Sequence, residues 1–184
     1  TPQWTSTIPN VALSFQPSSD ATEFFFRLRP GMRWSDGAPF TAKDIIFWYE
    51  DILLNPAFPN AVPEWLTAGG NAVKIDEVDE NTVAFRFSTP YGLFPTALAR
   101  PEGVEPVSYP AHFLKPLLPK YNQNADAEAR ALGFDGWKER FVSVFGNPGT
   151  IDDPSRWLNP DVPTLNAWVL TGVYGTDDPL IAKR

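Results

Sequence analysis

Leu28-Arg29-Pro30-Gly31-Met32-Arg33-Trp34-Ser35-Asp36-Gly37-Ala38-Pro39-Phe40-Thr41-Ala42-Lys43-Asp44-Ile45-Ile46-Phe47-Trp48 holds a strand end, a glycine turn and a helix start in one run. Just upstream, Phe24, Phe26 and Leu28 alternate with Phe25, Arg27 and Arg29, the period of two that puts one row of side chains on a core and the other in water. Gly31 and then Asp36-Gly37 break that pattern, the second pair being suited to a tight turn because glycine takes positive φ without a steric penalty. Thr41 can cap the first amides of a helix, Asp44 sits three residues on as the carboxylate of a capping box, and Phe40 with Ile45 have the spacing of a hydrophobic staple. Ile45, Ile46, Tyr49, Ile52 and Leu53 then share one face of a 3.6-residue period, which predicts a helix over 41–54.

Towards the N-terminus, Val11, Leu13 and Phe15 alternate with Ala12, Ser14 and Gln16, and with the polar turn Pro17 to Asp20 they predict a hairpin onto the strand at Phe24. After the helix, Asn55 to Asn71 reads as a long loop or a short helix within a loop, since it contains three prolines and Gly69-Gly70. Val73 and Ile75, the turn Asp79 to Asn81, and the alternating Val83, Phe85 and Phe87 predict a second hairpin. Short helices are expected near 92–99, 110–115 and 124–132, and a better one where Phe134, Trp137, Phe141, Val144 and Phe145 recur at helical spacing. Asn147 to Pro163 reads as loop and Ala167 to Leu170 as a strand leading out. The expected class is α+β: antiparallel hairpins packed against several helices, in a single lobe with a core of about 8–146 and a loop-rich exit segment over 147–184.

The chain has 184 residues, 43% of them hydrophobic, enough to bury a core and to argue against disorder. With 22 acidic against 15 basic residues and no basic run, it is a poor partner for nucleic acid. It has no cysteine, which excludes disulfides, thiolate metal sites and cysteine nucleophiles. No stretch is long and apolar enough for a transmembrane helix, and Thr1-Pro2-Gln3-Trp4 lacks the features of a signal peptide. The missing initiating Met and the end at Lys183-Arg184 read as ends cut from a longer chain, a piece expected to be monomeric.

The run from Phe26 to Trp48 closely resembles the signature of the family 5 extracellular solute-binding proteins: a strand ending in Leu-Arg, a Gly, an aromatic, Asp-Gly, a Pro, Thr-Ala, then an acid opening a helix. The hairpin at Val73 to Phe87 and the stretch Tyr91 to Pro95 fall where such proteins have similar features, as do Pro110 to Leu114, Gly133 to Trp137 and Pro163 to Leu170. The resemblance implies a piece of the substrate-binding component of an ABC importer, matching the early accessory lobe of a type II-like periplasmic binding protein. It implies a peptide or similar small solute in the full-length protein, membrane subunits of the transporter as partners, and a periplasmic or extracellular location with a lipid anchor as an option. It implies no enzyme and no cofactor. The motif itself needs no ligand to explain it, because strand, turn and capped helix account for every residue in it.

Other chemistry is weighed against this. His112 is the only histidine, so no Ser-His-Asp triad or histidine pair for a metal suggests itself; a partly buried, hydrogen-bonded role is expected. The adjacent acid pairs Glu50-Asp51, Asp76-Glu77, Asp79-Glu80, Asp152-Asp153 and Asp177-Asp178 read as turn or surface charges, and no metal site is expected. Trp34, Trp48 and Trp137 read as core, and Trp4, Trp65, Trp157 and Trp168 as loop or end residues. Of these, Glu64 and Trp65 in the proline-rich loop are the candidate ligand contacts. The alternatives are a carboxylate-dependent glycan hydrolase, with two acids facing each other beside an aromatic, and a stand-alone carbohydrate or protein interaction module, with a large exposed apolar patch.

Overall fold

A computed structural model describes residues 10–58, 61–150, 153–167 and 169. They fall into two compact units, one made of the described residues up to Met32 with Pro39–Tyr109, the other of Arg33–Ala38 with the described residues from Pro110 onward. From sequence alone, one lobe and an exit segment are expected.

The first unit is built on a four-stranded antiparallel sheet, in the order β1 (Ala12–Pro17), β2 (Glu23–Leu28), β6 (Thr82–Arg86), β5 (Lys74–Asp79). Both expected hairpins are present, and pairing of β2 with β6 fuses them into one sheet, with Phe24 opposite Phe85 and Phe26 opposite Val83. The inner face carries Phe24, Phe26, Leu28, Ile75, Val83 and Phe85, all buried. One detail of the first hairpin differs from expectation: the register shifts between Ala12 and Ser14, so Leu13 turns outward and is 44% exposed. A bulge sets two residues against one, and the alternation along the strand changes face there.

Helix α1 (Ala42–Phe47) starts as the sequence requires. Thr41 caps the Lys43 amide at 3.3 Å, Asp44 Oδ2 accepts from the Thr41 amide at 2.9 Å, and Phe40 and Ile45 of the staple are buried. The predicted helix over 41–54 changes character halfway: Trp48–Leu53 is a π-helix, closed by the Leu54 amide on the Tyr49 carbonyl at 3.0 Å. Closure from i to i+5 makes residues four and five apart neighbours, so Trp48, Ile52 and Leu53 all turn inward while the Tyr49 hydroxyl donates to the Val73 carbonyl at 2.8 Å.

The long loop contains a 3-10 turn at Glu64–Leu66 and a small ribbon, β3 (Thr67–Ala68) with β4 (Asn71–Ala72), turning at Gly69-Gly70. Helix α2 (Phe94–Leu98) drives Phe94 into the sheet, with ring centroids 4.8 Å from Phe87, 5.0 Å from Phe24 and 5.2 Å from Phe85. Burying that ring contributes about 1.5–3 kcal/mol before the pairwise aromatic contacts are counted. A 3-10 segment, Pro101–Val107, follows. It was not foreseen, because Pro101, Gly103 and Pro106 read as chain breakers, whereas short 3-10 turns tolerate them at their starts and bends.

The second unit is helical. Helix α3 (Ala111–Leu114) runs into a 3-10 turn at Lys115–Leu117, followed by α4 (Ala125–Ala131) and α5 (Trp137–Phe145), which buries Phe141 and Phe145. Trp137, expected in the core, is half-buried at the start of α5, where its backbone amide donates to Asp126 Oδ1 at 2.9 Å. Helix α6 (Pro154–Leu158) lies inside the stretch read as loop. Asp153 is its N-cap, accepting from the Ser155 amide at 3.0 Å, and Pro154 occupies the first turn, where a proline has no hydrogen bond to lose. The strand expected at 167–170 falls largely outside the described residues.

Candidate functional site

In the first unit, the sheet and the layer above it enclose a partly open cavity of about 360 Å³. Phe15, Phe26 and Phe85 of the sheet, Ile45 of α1, and Leu98 with Val107 from α2 and the following 3-10 segment supply apolar walls. Among the described residues of the lining, Arg100 is the only charged one and Asn10 the only uncharged polar side chain. A glycan hydrolase requires two acids facing a substrate, and the described residues of this lining include no carboxylate.

The predicted contacts Glu64 and Trp65 lie elsewhere in the same unit. The 3-10 turn that carries them is anchored by Leu66, which is fully buried and accepts from the Val73 amide at 2.7 Å. With Leu66 turned inward, Glu64 is exposed and Trp65 half-buried, and neither lines the cavity.

The acid pairs are used structurally. Asp76 Oδ2 accepts from Arg86 Nε at 3.0 Å, and Glu23, directly opposite Arg86 across the β2–β6 pairing, accepts from the same guanidinium, which also lies over the Phe25 ring at 5.5 Å. The hydrogen bond to Glu23 outweighs the effect of burial and pushes the Arg86 pKa up, so this cation stays charged on the outer face of the sheet. Sequence reading missed this cluster, because the three residues meet only once the register is known. Asp79 caps its own turn through the Asn81 amide at 2.8 Å, and Asp51 is buried within the π-helix. Asp152 and the pair Asp177-Asp178 lie outside the described residues.

In the second unit, the Asp36-Gly37 turn of the signature is held from two directions. His112 Nε2 is 2.7 Å from Asp36 Oδ2, and Ser35 and Thr164 exchange hydrogen bonds, the Ser35 amide to the Thr164 carbonyl at 2.9 Å and the Thr164 amide to Ser35 Oγ at 3.0 Å. His112 is hydrogen-bonded as expected, although its side chain is more than a third exposed. Among the described residues no group of three His, Cys, Asp or Glu is placed to hold a metal ion, and no helix is long and apolar enough to cross a membrane.

The arrangement of strand, turn and capped helix is matched by known proteins. The model of the bacterial extracellular solute-binding proteins, family 5 Middle, matches residues 6–133. The solved structure of an oligopeptide-binding protein, OppA, superposes with a TM-score of 0.71 at 35% identity, covering 88% of this chain and 24% of that one. A periplasmic alpha-galactoside-binding protein of Rhizobium meliloti (strain 1021) is 27% identical over 190 residues, 96% of this chain and 22% of that protein. Di/tripeptide-binding protein 1 of Pseudomonas aeruginosa (strain UCBPP-PA14) is 28% identical over 125 residues, 60% of this chain and 23% of that protein. The chain thus spans less than a quarter of the length of these relatives.

Proposed function

This chain belongs to the bacterial extracellular solute-binding proteins of family 5, and from that premise we propose that it is part of the receptor of an ABC importer, capturing a solute outside the cytoplasmic membrane. The observation that carries the reading is the Leu28–Trp48 run, folded as strand, turn and capped helix within a superposition on the oligopeptide-binding protein. Family members are binding proteins rather than enzymes, and the structural use of the described acids supports the same for this chain.

The solute is proposed to be a short peptide, met through backbone hydrogen bonds in a partly wet site. An oligosaccharide is the second reading, favoured by the similarity along nearly the whole chain to the alpha-galactoside-binding protein. Glu64 and Trp65 are the proposed contribution of this lobe, an exposed carboxylate beside a half-buried aromatic that suits either an amino terminus or a sugar face. The membrane subunits of the importer are the proposed partners, and a lipid anchor on the full-length protein is proposed as its tether.

Thermal unfolding of the full-length protein against panels of oligopeptides and galactosyl oligosaccharides tests the reading. Ligand at about 100 times Kd stabilises by about 2.7 kcal/mol, a shift of roughly 2 °C in a protein of several hundred residues. Replacing Glu64 and Trp65 with alanine should reduce the shift. Indifference to both panels would remove the solute proposal, and a shift unaltered by the double substitution would remove these two residues from it.

A further inference from the structure

The cavity in the first unit has the size of a small-molecule site, since ligand pockets run from roughly 300 to 1,000 Å³ and this one holds about 360 Å³. Its aromatic wall is held in place: Phe15 stacks on Phe26 at 5.8 Å, and Phe26 meets Phe85 edge-on at 5.4 Å. The opposite wall is equally constrained, because a Cβ at Gly103 would stand 1.8 Å from the Leu98 carbonyl oxygen, so α2 and the 3-10 segment form a fixed corner. An apolar cavity walled in this way gains packing contacts when an apolar ligand displaces its water, and engineered apolar cavities of about 150 Å³ take up benzene.

The lining also selects a chemical class. Peptides and oligosaccharides carry polar groups at every unit, and against these walls most of them would lose water without gaining a partner. Among the described residues of the lining there is one cation, Arg100. Arg29 donates to the Asn10 carbonyl at 2.8 Å and Arg86 is paired with Glu23 and Asp76, whereas Arg100 is exposed and its guanidinium makes no hydrogen bond or ion pair with the described residues. Its backbone is nevertheless fixed, the amide donating to Ala97 at 3.2 Å and the carbonyl accepting from Gly103 at 3.0 Å. The geometry points to a second ligand site, distinct from the solute contacts proposed above: a medium-chain carboxylate, its hydrocarbon between the sheet and the 3-10 segment and its head group on Arg100. At the packing density of protein interiors the volume admits a molecule of roughly ten to thirteen heavy atoms.

Calorimetric titration of the 184-residue chain with octanoate, butanoate and octan-1-ol tests the site. Octanoate should saturate one site and bind at least about tenfold more tightly than butanoate. Arg100→Gln should weaken octanoate at least about fivefold and leave octan-1-ol unchanged, because only the carboxylate uses the guanidinium. Val107→Phe should abolish both by filling the cavity at an unchanged circular dichroism spectrum, and Val104→Phe serves the same purpose if the first variant does not fold. Absence of saturable octanoate binding, or binding that persists in the filled variants, would overturn the site. Equal binding of acid and alcohol, with Arg100→Gln silent, would overturn the ligand class.

Discussion

His112 Nε2 stands 2.7 Å from Asp36 Oδ2, fastening the signature turn to a helix that begins more than seventy residues later in the chain. Burial alone would raise the Asp36 pKa, but the hydrogen bond from His112, the amide of Ala38 at 3.0 Å and the charge interaction with His112 together hold it below its ordinary value. A folded-state pKa below the unfolded one contributes stability that is complete above about pH 4 and is lost as pH falls through the folded value. Asp36→Asn should therefore lower Tm at neutral pH and converge with the parent only once pH has fallen through the lowered folded-state pKa, well below about pH 4. Both side chains are more than a third exposed, so the neutral-pH difference should stay within about 1 kcal/mol, or roughly 4 °C. A constant gap down to pH 2 would show that this carboxylate's charge is not what matters.

Gly146 closes α5 at φ 93 and ψ 175, a region open essentially only to glycine, and a Cβ there would lie 2.5 Å from Asp153 Cγ. The Asp153 carboxylate accepts from the Asn147 amide at 2.8 Å and caps α6, so it cannot step aside without losing both partners. Gly146→Ala should cost about 2–4 kcal/mol in urea unfolding. Gly37→Ala, with φ +91 but open space around it, should cost only about 1–2 kcal/mol. Equal losses would mean that contact with Asp153 adds nothing.

Asp153 gives a second acid-sensitive point. Hydrogen bonds, the Asn147 amide first, outweigh burial and hold its pKa below the ordinary value, so its contribution too is present at neutral pH and is lost on acidification. Asp153→Asn should loosen α6 at pH 7 and have little effect near pH 2, as read by hydrogen exchange at the Ser155 and Asn147 amides. Protection at those amides that is the same in both variants at pH 7 would exclude the charge as its source.

Thr41→Ala should destabilise the first unit by about 0.5–2 kcal/mol, because it removes the cap over the Lys43 amide, and Thr41→Ser should recover most of the loss. Chemical denaturation read by the fluorescence of Trp48, buried in that unit, would measure both. Failure of serine to rescue would point to the methyl group rather than the hydroxyl.

Ala21 is the one residue other than glycine at positive φ among the described residues, at 54°, in the turn between β1 and β2. Its amide donates to the Ser18 carbonyl and its own carbonyl accepts from Tyr91, which hold the strained backbone in place. Relief of the left-handed conformation is worth about 1–2 kcal/mol, and the added freedom of glycine in the unfolded chain returns about 0.4–1. Ala21→Gly should therefore stabilise by up to about 1.6 kcal/mol, whereas Ala21→Val should destabilise. A lower urea midpoint for the glycine variant would contradict the strain argument.

The parts of the fold legible in the sequence were those set by local chemistry. The capping box at Thr41 and Asp44, the alternation at Phe24 to Leu28 and the turn at Asp36-Gly37 each declare themselves within a few residues, and each is found in place. What escaped depends on non-local partners. Leu13 faces outward because of a register shift against β2, α6 forms where Asp153, a loop acid by sequence, supplies a cap, and the π-helix turns Trp48, Ile52 and Leu53 inward together, a spacing that the 3.6-residue period does not announce. The candidate sites divide in the same way. Glu64 and Trp65 stand out by residue type and lie on a turn where one is exposed and the other half-buried, while the cavity lined in part by Arg100 is assembled from strands and helices far apart in sequence.

The mutual hydrogen bonds of Ser35 and Thr164 span 129 positions. During synthesis, the sheet of the first unit has all its strands once Arg86 has left the ribosome, but the turn at Ser35 must wait for its partner until Thr164 emerges. At roughly 5–20 residues per second that wait lasts several seconds, so the turn gains its Thr164 partner well after the strands of the first unit are all available to pair.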